Sequence, residues 1–172
     1  MKAKFVFLIA LFAVFFAGFI TGLITNEQEK AFQEEMVPSE IPHLSTEGFT
    51  RAYVDTGPSV IYLVSGCRRL TLVTNEIQSE SVEMGLSNIT GFRPNTHDLI
   101  KNIIENYEIK PLMVKVESLA EGTYYSKILM IRDNNILNLD SRPSDAIAIA
   151  VRTGTPVYVK DELFGQAGEK IC

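Results

Sequence analysis

Between Phe49 and Cys172 the chain holds one histidine, His97, whose ordinary pKa near neutrality lets it take or give a proton at pH 7. Asp98 follows it directly, Asp145 stands further on, and Arg93, Arg142 and Arg152 are distributed around them as anion ligands. Proton transfer beside fixed positive charge is the equipment of general acid–base chemistry at an anionic centre, a phosphate above all. His97, Asp98, Asp145 and Arg142 are therefore the catalytic candidates, and Arg93, Ser144 and Arg152 the substrate-binding ones. Asp145 could also orient water or hold Mg²⁺. No CxxC or HExxH spacing occurs, so no zinc site is expected. Each residue has a plainer reading as well. His97 and Asp98 lie in the first turn of an expected helix, where Thr96 is the expected cap and Asp98 meets the positive end of the dipole. Asp98 should point away from His97 along that helix. Asp145 opens another helix, within reach of Arg142 or Arg152 as an ion-pair partner. Ser144 has no recognisable base beside it and is a poor nucleophile.

The elements that must position these residues are best marked from Asp140 to Val159. Pro143 suits the first turn of a helix, with Ser141 or Ser144 available to cap it. Ala146, Ile147, Ile149, Ala150 and Val151 make that helix apolar nearly all round, which implies burial on most sides. Arg152 falls in the last turn, Gly154 suits the residue after it, and Pro156 opens a short buried strand to Val159. Upstream, strands are expected at Phe49–Val54, Ser59–Val64 and Leu70–Thr74, separated by Asp55-Thr56-Gly57-Pro58 and Ser65-Gly66-Cys67-Arg68. Helices follow at Glu76–Leu86 and Thr96–Tyr107. Strands Lys110–Ser118, Thr123–Arg132 and Ile136–Asp140 come next, with tight turns at Glu121-Gly122 and Asp133-Asn134-Asn135. The class is α+β, with a mixed, largely antiparallel sheet and interspersed helices. Sliding Leu70–Ser87 onto Leu137–Gly154 aligns strand, polar turn and helix, and sets Gln78 opposite Asp145. Either a duplicated strand–helix unit or ordinary periodicity produces that pattern.

Arg142-Pro143-Ser144-Asp145-Ala146, the apolar helix, Arg152-Thr153-Gly154 and Pro156-Val157-Tyr158-Val159 together resemble the signature of the bifunctional nuclease (BFN) domain family, formerly a domain of unknown function. Arg93-Pro94-Asn95-Thr96-His97-Asp98-Leu99-Ile100 resembles that family's R-P-x-T-H-D-L-L segment, and Glu121-Gly122-Thr123-Tyr124-Tyr125-Ser126 its D-G-T-F-Y-A turn and strand. The resemblance runs from about Phe49 to Gly168 and implies hydrolysis of RNA and DNA phosphodiester bonds, with nucleic acid as partner. The family usually shows Glu-Ala where this chain has Gln78-Ser79, so one carboxylate that the resemblance leads one to expect is replaced.

Phe5 to Ile24 is an uncharged run of 20 residues, long enough for a helix to cross a bilayer core of about 30 Å. Lys2 and Lys4 precede it and Glu27 and Glu29 follow, which places the N-terminus in the cytoplasm and the domain outside. Residues 1–25 thus read as a transmembrane anchor, a cleaved signal peptide being the competing reading. Residues 26–48 read as an acidic polar stalk and 49–172 as the domain. The domain carries 13 Lys and Arg against 15 Asp and Glu, not the footprint of a tight nucleic-acid binder. A noncatalytic binding or scaffold domain displayed on the membrane is therefore the alternative to a nuclease. A small-molecule hydrolase is a third reading, which a deep apolar pocket beside His97 would favour. Strand edges leave homo-oligomerisation open. Cys67 in a turn and Cys172 at the chain's end are not expected to pair.

Overall fold

The computed structural model describes residues 44–172, so the run Phe5–Ile24 and most of the stalk lie outside the described residues. Strands β1 (Phe49–Gly57), β2 (Val60–Ser65) and β3 (Arg68–Val73) form an antiparallel meander followed by helix α1 (Glu76–Leu86). Helix α2 (Thr96–Asn106) leads to a second meander, β4 (Lys110–Ala120), β5 (Thr123–Arg132) and β6 (Asn135–Ser141), followed by α3 (Pro143–Thr153). Strand β7 (Val157–Lys160), α4 (Asp161–Gln166) and β8 (Gly168–Lys170) complete the chain. Among the described residues, eight strands make one sheet in the order β6-β5-β4-β7-β1-β2-β3-β8. Only β4 and β7 run parallel; β7 is inserted between the two meanders.

Alternation along the strands turns one apolar row inward. Ile61 and Leu63, Leu70 and Leu72, Val114 and Val116, Ile128 and Met130, and Val157 and Val159 are all buried in a single core with Val82 of α1 and Ile104 of α2. Helix α3 lies deepest, with Ser144 and Ala146 to Ala150 all buried. A helix with a single apolar stripe could not occupy that position; one that is apolar on most sides can. Gly154 ends it at φ 69, in the left-handed region that glycine adopts without a steric penalty.

Three expectations need correction. Strand β1 runs through Asp55-Thr56-Gly57, paired with Tyr62 to Val60, so the turn is Pro58-Ser59 rather than Asp55 to Pro58. Neither Ser141 nor Ser144 caps α3: Arg142 holds the N-cap position without a side-chain cap, Ser141 sits in β6 and the Ser144 hydroxyl is engaged elsewhere. Cys67 and Cys172 are bridged. Strand β8 pairs with β3, Arg68 opposite Lys170, and the Ile171 N–H donates to the Cys67 carbonyl, which carries Cys172 back to the β2–β3 turn. In the chain-entropy picture, closing a loop of about 100 residues removes roughly 4–5 kcal/mol of freedom from the unfolded state.

Candidate active site

The start of α2 fixes His97. Asn95 is the N-cap, not Thr96: its Oδ1 accepts from the backbone N–H groups of His97 (2.9 Å) and Asp98 (3.0 Å), and Asp98 Oδ2 accepts from the Asn95 N–H at 2.9 Å. This reciprocal pair satisfies donors that a helix start otherwise leaves open. His97 then reaches toward the start of α3, where its Nε2 lies 3.5 Å from Asp145 Oδ1. Arg142 clasps the same carboxylate with two nitrogens, Nε to Oδ2 at 2.7 Å and Nη2 to Oδ1 at 3.0 Å. His97, Asp145 and Arg142 are thus brought together from two helix starts.

On its other side, His97 Nδ1 stands 2.9 Å from Ser81 Oγ of α1. That hydroxyl already accepts from Asn95 Nδ2 at 3.2 Å and from Arg152 Nη2 at 3.4 Å. Its own proton is therefore the one left to give to Nδ1, which leaves the hydrogen of neutral His97 on Nε2, facing Asp145. Burial, and then the nearby charge of Arg152, lower the His97 pKa below the ordinary histidine value; the hydrogen bond to Asp145 offsets part of this.

Asp98 and Arg152 form a second, deeper pair. Arg152 Nε donates to Asp98 Oδ1 at 2.7 Å, while Nη1 donates to the carbonyls of Ser81 (2.8 Å) and Ala148 (2.9 Å). The Arg152 side chain is 4% exposed. Burial by itself would raise the Asp98 pKa, but the hydrogen bonds from Arg152 and from the Asn95 backbone hold it below the usual carboxylate value. This pair ties α2 to α3 behind His97. Arg93 is exposed on the segment between α1 and α2. With Arg152 internal and Arg142 71% exposed, the three arginines do not line one cationic groove.

Ser144 Oγ accepts from Gln78 Nε2 at 3.0 Å. Gln78 also completes the capping box of α1, accepting from the Asn75 N–H at 3.2 Å while its own N–H donates to Asn75 Oδ1 at 2.9 Å. The residue that replaces the expected carboxylate is thus a cap and a brace between α1 and α3. An open cleft of about 330 Å³ adjoins this point, reached through Arg142 and Ser144. The donor set does not suit a divalent cation. Among the described residues no three His, Cys, Asp or Glu converge, and both oxygens of Asp145 already face Arg142.

Ser81, Asn95 and Gly85 are the contributors that sequence reading missed. A Cβ on Gly85 would fall 2.5 Å from Val151 Cγ2 and 2.8 Å from Arg152 Nη1, so its missing side chain makes the space in which Arg152 lies. The Asn95-Thr96-His97-Asp98 spacing was the available signal for the cap, because Asp98 stands three residues after Asn95.

Fold and site together define an α+β domain of two meander–helix units, with a histidine–carboxylate–guanidinium cluster where their helices meet. Residues 60–171 match the family model of the bifunctional nuclease domain, and the chain belongs to that family. An uncharacterized protein of Mycobacterium tuberculosis is 34% identical over 104 residues, 60% of this chain and 62% of that protein. Bifunctional nuclease 1 of Oryza sativa subsp. indica is 28% identical over 105 residues, and bifunctional nuclease 1 of Arabidopsis thaliana 25% over the same length; each match covers 59% of this chain and 32% of the plant protein. The chain therefore spans less than two thirds of the length of these relatives.

Proposed function

We propose that the chain hydrolyses phosphodiester bonds of RNA or DNA at the His97–Asp145–Arg142 cluster. The observation that carries this is the meeting of His97 Nε2 and Asp145 Oδ1 at 3.5 Å, with the Arg142 guanidinium on the same carboxylate and an open cleft alongside. The family and the printed names of the plant relatives support it. In this reading a water oxygen bonds to phosphorus and its proton passes to Asp145. Arg142 neutralises charge on the non-bridging oxygens, and the bond from phosphorus to the leaving oxygen breaks as that oxygen takes a proton from solvent. His97, held by Ser81, orients Asp145 through Nε2–H.

The test is cleavage of labelled single-stranded RNA and DNA by the full chain, in Mg²⁺ and in EDTA, beside a His97→Ala, Asp145→Ala double variant. Loss of about 10²–10⁴-fold in the variant, with folding retained, is expected. Equal cleavage by both proteins would remove the cluster from the mechanism. The EDTA arm separately reads whether a cation joins through the substrate phosphates.

The noncatalytic reading keeps one specific support: both arginines near the cluster are already paired, Arg142 with Asp145 and Arg152 with Asp98. No cleavage in any condition would favour it. We also propose that Phe5–Ile24 is a membrane anchor with the domain on the extracytoplasmic side. The Cys67–Cys172 bridge supports this placement, because such bridges persist in oxidising compartments. Among the described residues no helix is long and apolar enough to cross a membrane. Alkylation of intact and permeabilised cells with a membrane-impermeant thiol reagent, after reduction, would report the side directly.

A further inference from the structure

The cleft beside the cluster lies between the end of β3, the β4–β5 turn and the starts of α1 and α3. Thr74, Gln78, Thr123, Tyr124, Arg142 and Ser144 give it its chemistry, and no acidic residue lines it. Each wall has a structural origin. Glu121 (φ 51) and Gly122 (φ 76) form a two-residue turn with both residues left-handed, which sets Thr123 at the cleft's edge. Tyr124 packs against the core, while Tyr125, the next residue of the strand, faces the other way and is exposed. Ser144 accepts from Gln78 and so keeps its own proton to donate. Arg142 is shared: it clasps Asp145 on one side and borders the cleft on the other.

We infer that this cleft is the subsite for one nucleotide of a single strand, flanking the phosphate attacked at Asp145; the inference rests on the proposed hydrolysis. At about 330 Å³ the space stands at the low end of small-ligand sites, which run from about 300 to 1,000 Å³. That is room for one nucleoside, not for a stacked pair. Hydroxyls and an amide suit the mixed donors and acceptors of a base edge or sugar, the Tyr124 ring gives an apolar wall, and the lone cation stands where the adjoining phosphate must lie. A base within a duplex reaches such a cleft only by leaving its stack, at a cost of a few kcal/mol, so single strands are the preferred substrate.

The experiment titrates the isotope-labelled full chain, solubilised in micelles, with uridine 5′-monophosphate, uridine and inorganic phosphate, reading amide shifts of Thr74, Gly122 and Thr123. In parallel it measures cleavage of single-stranded and duplex oligonucleotides. The expected result is saturable shifts at these three residues with the nucleotide, weaker ones with uridine, and none there with phosphate alone. Thr123→Trp, which enlarges a residue at the cleft's edge, should weaken nucleotide binding by about tenfold or more. Tyr125→Ala, an exposed residue outside the cleft's lining, should leave binding and cleavage unchanged. Shifts confined elsewhere, or undiminished binding in Thr123→Trp, would overturn the subsite. Nucleotide binding in the cleft without cleavage of any oligonucleotide would keep the subsite and remove the hydrolysis. Variant-sensitive cleavage at the His97–Asp145 cluster, with duplex and single strand cut alike and Thr123→Trp fully active, would keep the hydrolysis and remove the subsite.

Discussion

The unit β1–β2–β3–α1 and the unit β4–β5–β6–α3 carry the same succession of elements, and the helices correspond residue for residue, Glu76–Leu86 against Pro143–Thr153. Their polar equipment is opposite. Where the first helix begins with Asn75 and Gln78, neutral residues that cap it, the second begins with Arg142 and Asp145, charged residues that cap nothing and hold each other. At its far end Gly85 stands opposite Arg152, and the two meet, the glycine making the space that the arginine fills. Arg152 Nη1 even bonds two carbonyls at equivalent positions, Ser81 and Ala148. The first unit supplies fit and hydrogen-bonding support, the second supplies charge, and His97 enters from α2, which belongs to neither. A symmetric pair of carboxylates is not how this site is built.

The largest expected effect on stability comes from breaking the deep pair. Asp98→Ala leaves Arg152 buried without its counter-charge and should cost about 3–5 kcal/mol, seen as a lower denaturant midpoint. Gly85→Ala should cost about 1–3 kcal/mol through overpacking against Val151 and Arg152, despite alanine's better helix propensity; a neutral or stabilising result would mean the helices are not so closely apposed. Arg142→Asn gives the second helix the kind of cap the first one has. It should raise stability by about 1 kcal/mol while lowering cleavage, and a gain in both would separate Arg142 from the chemistry.

A smaller effect is pH dependence. His97 binds its proton less readily folded than unfolded, so the unfolded chain protonates first as pH falls through the ordinary histidine value. Stability should therefore decline below about pH 6.5 until the lower folded pKa is passed, and His97→Gln should flatten that decline in denaturant midpoints measured against pH. The Asp98 pKa is lowered as well, so its contribution is likewise lost as pH falls, but only at more acid pH, as its own lowered pKa is traversed.

Much of this was legible because it is local. Pro143, the apolar run and Gly154 mark α3 within its own residues, and the spacing of Leu70–Ser87 against Leu137–Gly154 foreshadows the two units, since strand, turn and helix each leave a periodic trace. Asn95 and Thr96 are both good caps and adjacent, so only backbone geometry could choose between them. The Asp98–Arg152 pair joins two helices 54 residues apart, and the bridge depends on β8, a strand of three residues, Gly168–Lys170, with no apolar pattern. Long-range pairings of this kind leave no mark in spacing. Ser81 and Gly85 were passed over for a related reason: small residues on a weakly patterned helix show their purpose only when the neighbouring helix is in place.

The most direct measurement compares two variants at equivalent positions, Asp145→Gln and Gln78→Ala, in single-stranded oligonucleotide cleavage by the full chain. If charge chemistry resides in the second unit, Asp145→Gln lowers kcat by about 10²–10⁴-fold, whereas Gln78→Ala, which loses a cap and one brace to Ser144, lowers it far less. Gln78→Ala as damaging as Asp145→Gln, or an active Asp145→Gln protein, would contradict the account.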